Sequence, residues 1–476
     1  MKNIKLTTNY LKLNEYFYSQ SKAVPLKNPK LISYNDKLSK ELNISADIVN
    51  SEDFTSFVNG EYLANGSNPF AMAYCGHQFG YFVNNLGDGR ALNLGKLYKY
   101  NLQLKGAGVT SYSRNGDGRA VLRSSIREYL LSVAMDGLNI PTTKALAIIS
   151  SDSKAFREET ESCAIVMRAS TSWVRFGTFE RAYIDKENNE QKLKELANYV
   201  IEESYNELEN VENKYEEMYF KIVDRTIEMI ALWQSVGFMH GVMNTDNMSI
   251  EGLTIDYGPF AFMEEFSKDY ICNHSDHEGR YRFENQAFIA QWNLTVLAQV
   301  LSPIANHEIM TNYNDQFIGR FKKRYFEIMA SKLGFKEKYK EDTRLILDMF
   351  LMLDLTKLDY TPFFYFLSCG KYDEIISMSL FQDETKAWLE DYKERLEKEN
   401  IKKEELYVSM KKINPKYILK NYMLQEVIKD AEDGDFQLLN DMLEIAKNPY
   451  GEHIKYERYS KPTPKDVGGF ICSCSS

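Results

Sequence analysis

VGFMHGVMNTDNMSIEGLTIDYGPF, residues 236–260, is the stretch of sequence that decides the fold. It continues an apolar, helix-like run, and its polar centre predicts a turn after the helix ends. Met248–Ile255 then predicts a tight two-strand hairpin around Glu251-Gly252, which would carry Asp256 back beside Asn247. Two oxygen side chains held together in this way suit Mg²⁺ or Mn²⁺ bridging phosphate oxygens. The structural alternative is an Asx-turn followed by a strand-end aspartate.

The same stretch can be laid over the magnesium site of protein kinases, which uses a catalytic-loop Asn and the Asp of a D-F-G triplet. Aligning His240 with the first residue of H-R-D-L-x-x-x-N places Asn247 on the Asn and Val242 on the catalytic Asp. The metal ligands are therefore present, while the usual base is missing. Asp246, next to Asn247, is a candidate proton acceptor unless it only shapes the turn. The stretch predicts a kinase-like nucleotide site that does something other than ordinary phosphoryl transfer.

The composition is typical of a large globular protein. Of 476 residues, 44% are hydrophobic and 26% are charged, and the net charge of −10 argues against nucleic acid as a partner. Six cysteines do not form a disulfide scaffold, so we expect a reducing, cytoplasmic location. The start of the chain lacks the apolar core of a secretory signal. The uncharged runs Tyr62–Gly87 and Asn285–Asn306 contain several polar residues and a proline, so no membrane span is expected.

The order of predicted elements indicates the fold class. A strand-rich first third containing one prominent helix precedes a mostly helical remainder, and regular strand–helix alternation is absent. We therefore expect an α+β, protein-kinase-like, two-lobed fold with a strand-rich N-lobe, a mostly helical C-lobe and a helical C-terminal extension. The predicted regions are an N-terminal extension packed on the core (1–64), the N-lobe with nucleotide-phosphate loops (65–180), the C-lobe with the metal site (181–340) and the extension with a Cys-x-Cys tail (341–476). The predicted strands are Tyr81–Leu86, Ala91–Tyr98, Asn101–Lys105, Thr143–Ile149 and Cys163–Ala169, and the prominent helix is Arg119–Leu138.

Glycines and cations in the first third are candidates for phosphate binding. Gly87 and Gly89 would let backbone N–H groups approach phosphates, although a glycine pair is more often a simple turn. Arg90 follows them, and a guanidinium suits bidentate phosphate contacts. Lys105 ends a strand and Glu128 lies on the following helix, an arrangement that aims an ammonium group at nucleotide phosphates in kinases. Alternatively both are solvated, or Glu128 pairs with the arginines of its own helix.

Four further residues extend this candidate site. Asp117-Gly118 closes the long loop 106–118, where an N-cap and a loop lying over a nucleotide are equally good explanations. Arg168 ends an apolar strand and Arg175 follows it. Charges at strand ends are usually solvated, but two arginines near a cleft would neutralise phosphates well.

The cysteines give two weaker signals. Cys272-Asn273-His274-Ser275-Asp276-His277 resembles half of a zinc site, but no second Cys/His pair is apparent in the sequence. A thiol near the end of a chain reaches distant partners, so Cys474 could form a reversible, regulatory disulfide with Cys272. Inert thiols are the alternative.

Long motifs identify a family. The chain resembles selenoprotein O and its bacterial relatives from about residue 65 to the last residue. The segments that carry the resemblance are YCGHQFG, LGDGRA, LQLKGAG, SYSRNGDGRAVLRSSIREYL, IPTTKAL, HGVMNTDNMSIEGLTIDYGPF, CNHSDHEGRY, DYTPFF, AWLEDYKERL, NPKYILKNYMLQEVI and CSCSS.

The resemblance implies a pseudokinase fold that binds ATP in a flipped orientation. It also implies transfer of AMP to Ser, Thr or Tyr hydroxyls of proteins with release of pyrophosphate, or of UMP from UTP, with Mg²⁺ or Mn²⁺ as cofactor. By motif, Asp246 would be the proton acceptor, Glu128 would pair with Lys105, and Asn247 and Asp256 would hold the metal. The nucleotide-binding residues would be Gly87, Gly89, Arg90, Lys105, Asp117, Gly118, Arg168, Arg175 and Asp256. Cys474 stands where some members carry selenocysteine.

Three classes of function stay open at this point. They are the adenylyltransferase, a phosphotransferase or kinase using Asp246 as its base, and an inert nucleotide-binding pseudokinase. The partners expected are ATP and hydroxyl-bearing proteins, with neither nucleic acid nor membrane, and the expected state is a monomer.

Overall fold

A computed structural model describes residues 4–467 of the chain. Strands dominate its first part. They are β1 (Tyr18–Gln20), β2 (Lys30–Tyr34), β3 (Phe70–Gln78), β4 (Tyr81–Gly87), β5 (Ala91–Leu97), β6 (Tyr100–Lys105), β7 (Ala120–Val121), β8 (Lys144–Phe156), β9 (Thr160–Ser170), β10 (Phe238–Met239) and β11 (Ala261–Phe262).

Helices make up most of the remainder, and a few also lie within the first part. They are α1 (Asp36–Glu41), α2 (Ala46–Val49), α3 (Glu52–Val58), α4 (Leu122–Gly137), α5 (Phe176–Tyr183), α6 (Asn189–Ser204), α7 (Lys214–Ser235), α8 (Gln286–Leu301), α9 (His307–Asp315), α10 (Phe317–Lys332), α11 (Asp342–Thr356), α12 (Tyr360–Leu367), α13 (Tyr372–Met378), α14 (Gln382–Glu397), α15 (Lys403–Lys411), α16 (Asn421–Glu432) and α17 (Gln437–Lys447). The predicted α+β class, strand-rich first and helical afterwards, is confirmed.

One antiparallel sheet organises the first part. Its strand order is β1-β3-β5-β6-β9-β8-β2, with β4 paired to β3 and β7 to β9, and β10 and β11 form a separate pair. β1 and β2 come from residues 1–64, so that region is hydrogen-bonded into the sheet. The predicted boundaries between regions stay predictions.

The sheet is buried on both faces. Leu102 and Leu104 of β6 pack with Phe54 and Phe57 of α3 in one core cluster. α4 packs against β8 and β9 and belongs to the other, larger core cluster. Because the side chains of a strand alternate between faces, Gln103 and Lys105 point away from the leucines, as the sequence predicts. α16 and α17 pack on α4, which joins the end of the described chain to the sheet region.

The prominent helix begins three residues later than predicted. Ala120 and Val121 pair with Ala164 and Cys163 of β9, so the backbone is extended there and α4 starts at Leu122. The sheet overrides the local helical pattern at these positions. Among residues 4–467, no helix combines the length and apolar composition needed to cross a bilayer.

Candidate functional site

A cleft of about 760 Å³ opens between the sheet and the segment that follows β10. All but two of the predicted catalytic, nucleotide-binding and metal residues line it. Those that do are Gly87, Gly89, Arg90, Lys105, Asp117, Gly118, Arg168, Asp246, Asn247 and Asp256. The two others, Glu128 and Arg175, are buried and bonded to residues of this set.

An ion cluster forms the inner wall of the cleft. Lys105 Nζ lies 2.6 Å from Glu128 Oε2 and 3.7 Å from Asp256 Oδ1. Arg168 Nη1 donates to Glu128 Oε1 and to Asp256 Oδ1, at 2.7 Å in each case. Arg175 Nη1 donates to Asp256 Oδ2 at 2.6 Å. Three cations therefore surround two carboxylates, which leaves a surplus of one positive charge.

The positions of β6, β9 and α5 explain why these charged side chains meet. Arg168 stands opposite Gln103 in the antiparallel register of β6 and β9, and Lys105 is two residues further along β6 on the same face. Arg175 directly precedes α5, and its Nη1 also donates to the carbonyl of Asp246 at 2.9 Å. One arginine therefore touches both the ion cluster and the turn that carries Asp246.

Both carboxylates of the cluster are held in the ionised form. Burial alone would raise the pKa of Asp256, but Arg175, Arg168 and Lys105 together hold that pKa well below its usual range. Burial likewise opposes ionisation of Glu128, and Lys105 and Arg168 lower its pKa in spite of it. Asp256 is thus a carboxylate anion at neutral pH.

The predicted hairpin over Met248–Ile255 is wrong in its pairing. Ser249 forms its bridge with Arg175, and Thr254 forms its bridge with Thr142, so the two arms do not pair with each other. The N–H of Gly252 donates to the Ser249 carbonyl at 3.2 Å and closes a turn. The backbone groups of the arms are satisfied by neighbouring segments instead. The turn still returns the chain, so Asn247 and Asp256 line the same cleft.

The two predicted metal ligands have suitable donor atoms. Asn247 Nδ2 donates to the Val242 carbonyl at 3.0 Å, which leaves the side-chain oxygen as the group able to bind a cation. The Asp256 side chain is 22% exposed, and its backbone is left-handed with φ of 57°. His240 Nε2 lies 2.8 Å from the Ile255 carbonyl and supports this conformation. An amide oxygen and a carboxylate fit Mg²⁺ or Mn²⁺ that takes its other ligands from phosphates.

Asp246 occupies a different environment from Asp256. It is 6% exposed, Gln78 Nε2 donates to its Oδ2 at 3.2 Å, and its Oδ1 has no hydrogen-bond partner. A Cβ on Gly76 would lie 2.4 Å from Oδ1, so only glycine fits there. Burial raises the pKa of Asp246 to about 7. A carboxyl group of this kind can accept a proton near neutral pH.

Gly87 and Gly89 contact the loop that covers them. A Cβ on Gly87, whose φ is 152°, would lie 2.3 Å from Cγ of Tyr112. A Cβ on Gly89 would lie 2.9 Å from the Tyr112 carbonyl oxygen. The glycines thus make room for the loop 106–118, and their predicted role at phosphates stays a prediction.

Several cleft residues escaped the sequence analysis. Asp117 is bound by Arg157 at 2.8 and 3.0 Å, and Arg157 follows β8 from 40 residues further along the chain. No local pattern predicts that pairing. Arg114 could have been found, because it lies within the glycine-rich loop. The cleft residues without a predicted role include Gln78, Tyr112, Arg114, Arg119 and Arg157.

Of the two cysteines predicted to form a disulfide, the structure describes only Cys272. Cys272 is buried, with its Sγ 3.8 Å from the Met239 carbonyl oxygen. Cys474 lies outside the described residues, so a disulfide between them stays a prediction.

Comparison with known proteins gives one family. Residues 1–447 match the family described as protein adenylyltransferase SelO. The chain is 42% identical to the protein nucleotidyltransferase YdiU of Vibrio parahaemolyticus, over 99% of both chains. It is 42% identical to the protein of the same name from Aliivibrio salmonicida, over 100% of this chain and 99% of the relative. Identity to that of Myxococcus xanthus is 39%, with the same coverage.

Proposed function

Because this chain belongs to the family of protein adenylyltransferase SelO and is a nucleotidyltransferase, we propose that its cleft binds ATP and transfers AMP to a protein. The acceptor is the hydroxyl of a Ser, Thr or Tyr side chain, and pyrophosphate is released. UTP is the alternative donor. The resemblance described above gives the reaction type, and the cleft supplies the physical support.

The observation that carries the proposal is the positive charge of the cleft. The chain has a net charge of −10, yet six cations line this one cleft. They are Arg90, Lys105, Arg114, Arg119, Arg157 and Arg168. Four acids share the lining, and burial raises the pKa of two of them, Asp88 and Asp246. Such a cleft suits a polyanion as large as a nucleoside triphosphate.

Two cations are available for phosphates without any rearrangement. Among residues 4–467, Arg90 and Arg114 have no carboxylate within 4 Å. The Nε atoms of Arg168 and Arg175 are buried and have no hydrogen-bond partner. Because these two atoms are closed to solvent, phosphate contacts are expected at Arg90 and Arg114 instead.

Each step of the proposed AMP transfer can be assigned to residues of the cleft. The acceptor oxygen attacks the α-phosphorus, the bond between the α-phosphorus and the bridging oxygen breaks, and pyrophosphate leaves with that oxygen. Asp246 takes the hydroxyl proton. The arginines and Lys105 stabilise the charge that develops on the leaving group. A divalent cation held by Asn247 and Asp256 would supply further neutralising charge at the phosphate oxygens.

We also propose the kinase-like arrangement expected from the sequence. Its N-lobe is 65–180, its C-lobe is 181–340, and 1–64 and 341–476 are the flanking regions. The support is the position of the cleft, with the strand Lys105 and helix Glu128 on one side and Asn247 and Asp256 on the other. Cytoplasmic location, a monomeric state and a reversible Cys272–Cys474 disulfide belong to the same proposal.

Intact-mass spectrometry of an acceptor protein tests the proposal. After incubation with ATP and Mg²⁺ or Mn²⁺, we expect an adduct with the mass of AMP, absent when Asp246→Asn replaces the parent. Asp354→Asn, a surface aspartate paired with Lys357, is the matched control. A phosphate adduct would favour the kinase alternative, and no adduct from any nucleotide would favour the inert pseudokinase. Parallel reactions with UTP decide between AMP and UMP.

A further inference from the structure

An exposed aromatic hairpin tip lies beside the cleft. β3 and β4 meet at the turn Phe79-Gly80, after which Tyr81 is 80% exposed and Phe82 is 43% exposed. The tip is fixed to the reactive turn, because the N–H of Phe79 donates to Asn244 Oδ1 at 3.2 Å and Gln78 donates to Asp246. These two rings therefore have a defined position relative to Asp246.

Strand register places one of the rings on the cleft side. Tyr81 pairs with Gln78, and directly opposite residues of an antiparallel pair share a face. Tyr81 is thus on the face from which Gln78 reaches Asp246. Phe82 pairs with His77 on the other face, where the His77 ring centre is 5.2 Å from that of Phe82 and 5.4 Å from that of Trp292. Aromatic side chains therefore lie on both faces of the hairpin tip.

A cation without a carboxylate partner completes this surface. The Arg280 guanidinium lies 4.8 Å from the Trp292 ring centre and packs next to Gly80 of the hairpin turn. Among residues 4–467 no carboxylate lies within 4 Å of its side chain, and the residue is partly exposed. Arg282, two residues on, pairs with both Asp269 and Glu284. Of these two arginines, Arg280 is therefore the one available to an external anion.

We propose that Tyr81, Phe82, Arg280 and Trp292 form a docking platform for the acceptor protein, which binds through a segment carrying an acidic side chain near the modified hydroxyl. The inference rests on the proposed function, since it specifies the acceptor of that reaction. The rings offer apolar contact area, and Arg280 offers a charge-assisted hydrogen bond to a carboxylate. A segment on the platform would enter the cleft beside Asp246, because the platform continues into the cleft at Gln78 and Phe79.

Short synthetic peptides test the platform. Each has a central tyrosine in alanine flanks, and each flanking position in turn carries Glu, Gln or Lys. Binding to the full chain is measured by fluorescence anisotropy without nucleotide, and AMP incorporation is measured separately. We expect at least one Glu peptide to bind about ten-fold more tightly than its Gln twin. Arg280→Gln should abolish that preference, and Arg282→Gln should keep it.

A second variant covers the case in which Arg280→Gln misfolds. Tyr81 is so exposed that Tyr81→Ala should fold normally, and it should weaken binding of Glu and Gln peptides alike. The platform is overturned if the parent binds none of the peptides, binds Glu and Gln twins equally, prefers Lys peptides, or keeps its preference in Arg280→Gln. Peptide preference without any AMP incorporation would instead contradict the proposed function and leave the platform in place.

Discussion

Two buried ion clusters within residues 4–467 are built in opposite ways. In the cleft, Lys105, Arg168 and Arg175 surround two carboxylates, and two arginine Nε atoms have no hydrogen-bond partner. In the helical region, Arg395 lies between Asp342 and Glu399, and its Nη2 also donates to the Glu337 carbonyl at 2.8 Å. The first cluster has surplus cations and unused donors, whereas the second has surplus carboxylate and satisfied donors.

The difference in charge balance suggests that the cleft cluster serves binding and that the helical cluster serves stability. Both clusters obey the rule that buried charges must be paired. Glu399 receives two further backbone N–H groups, from Lys336 at 3.0 Å and Glu337 at 3.2 Å, so the helical cluster is complete. The cleft cluster keeps a surplus positive charge, which an anion bound in the cleft would balance. We therefore propose that excess charge with open access, and not burial itself, distinguishes a functional cluster from a stabilising one.

The largest expected effect comes from breaking the cleft cluster at its centre. Asp256→Asn removes the proposed metal ligand and the charge partner of two arginines, so AMP incorporation should fall at least about 10⁴-fold. Label transfer from α-labelled ATP measures it, with Asp354→Asn as the control. Incorporation near the parent level in a folded Asp256→Asn protein would refute the role of this carboxylate.

The helical cluster should respond in stability alone. Arg395→Leu leaves Asp342 and Glu399 buried without a cation and should lower the free energy of unfolding by about 3–5 kcal/mol. Urea denaturation measures it. Arg344→Leu is the control, because the Arg344 side chain is 87% exposed and its pair with Asp348 should contribute under about 1 kcal/mol. A changed affinity for ATP in Arg395→Leu would break the comparison.

A buried lysine that has no carboxylate partner among the described residues sharpens the comparison further. Lys332 is 3% exposed, its Nζ lies 4.4 Å from the Phe364 ring centre, and burial lowers its pKa to about 7. Its charge is unfavourable in the folded state below pH 7, and this penalty shrinks as the pH rises from 7 towards 10.5, where the unfolded lysine also loses its proton.

Lys332→Met should therefore stabilise the fold by about 1–4 kcal/mol at pH 6 and by progressively less above pH 7. Urea denaturation over a pH series measures this. Lys322→Met, on the exposed side of the same helix, should be neutral at every pH. A pH-independent gain for Lys332→Met would show that the lysine has the same pKa in the folded and unfolded states, and would contradict a pKa lowered by burial.

The smallest effects are expected at the cations on the outer wall of the cleft. Arg90→Gln and Arg114→Gln should each weaken ATP binding about ten-fold, because each removes one charge-assisted phosphate contact. Calorimetric titration at fixed ionic strength measures it, with Arg344→Gln as the control. Unchanged affinity in both variants would place the triphosphate elsewhere in the cleft.

The features of the fold and the site that the sequence predicts depend on residues close together in the chain. β6 alternates cleanly, so the opposite orientation of Leu104 and Lys105 could be read directly. Asn247 and Asp256 are nine residues apart around one turn, so their approach could also be predicted. The pairing inside that turn could not, because Ser249 and Thr254 bond to Arg175 and Thr142 from distant segments.

The missing residues are those placed by tertiary contacts. Arg157 reaches the cleft through Asp117, and Gln78 reaches Asp246 across 168 residues of chain. Gln78 lies within YCGHQFG, which is informative as a family motif but carries no chemical pattern of its own. Long-range register, and not local propensity, decides which polar residues meet in the cleft.

The most direct test of the central claim uses ATP carrying different labels on its α- and γ-phosphorus in one reaction. The isotope ratio in the precipitated acceptor protein reports which phosphorus is attacked in the cationic cleft. We predict that α-label enters the protein and that γ-label leaves with pyrophosphate. Entry of γ-label alone would contradict the account.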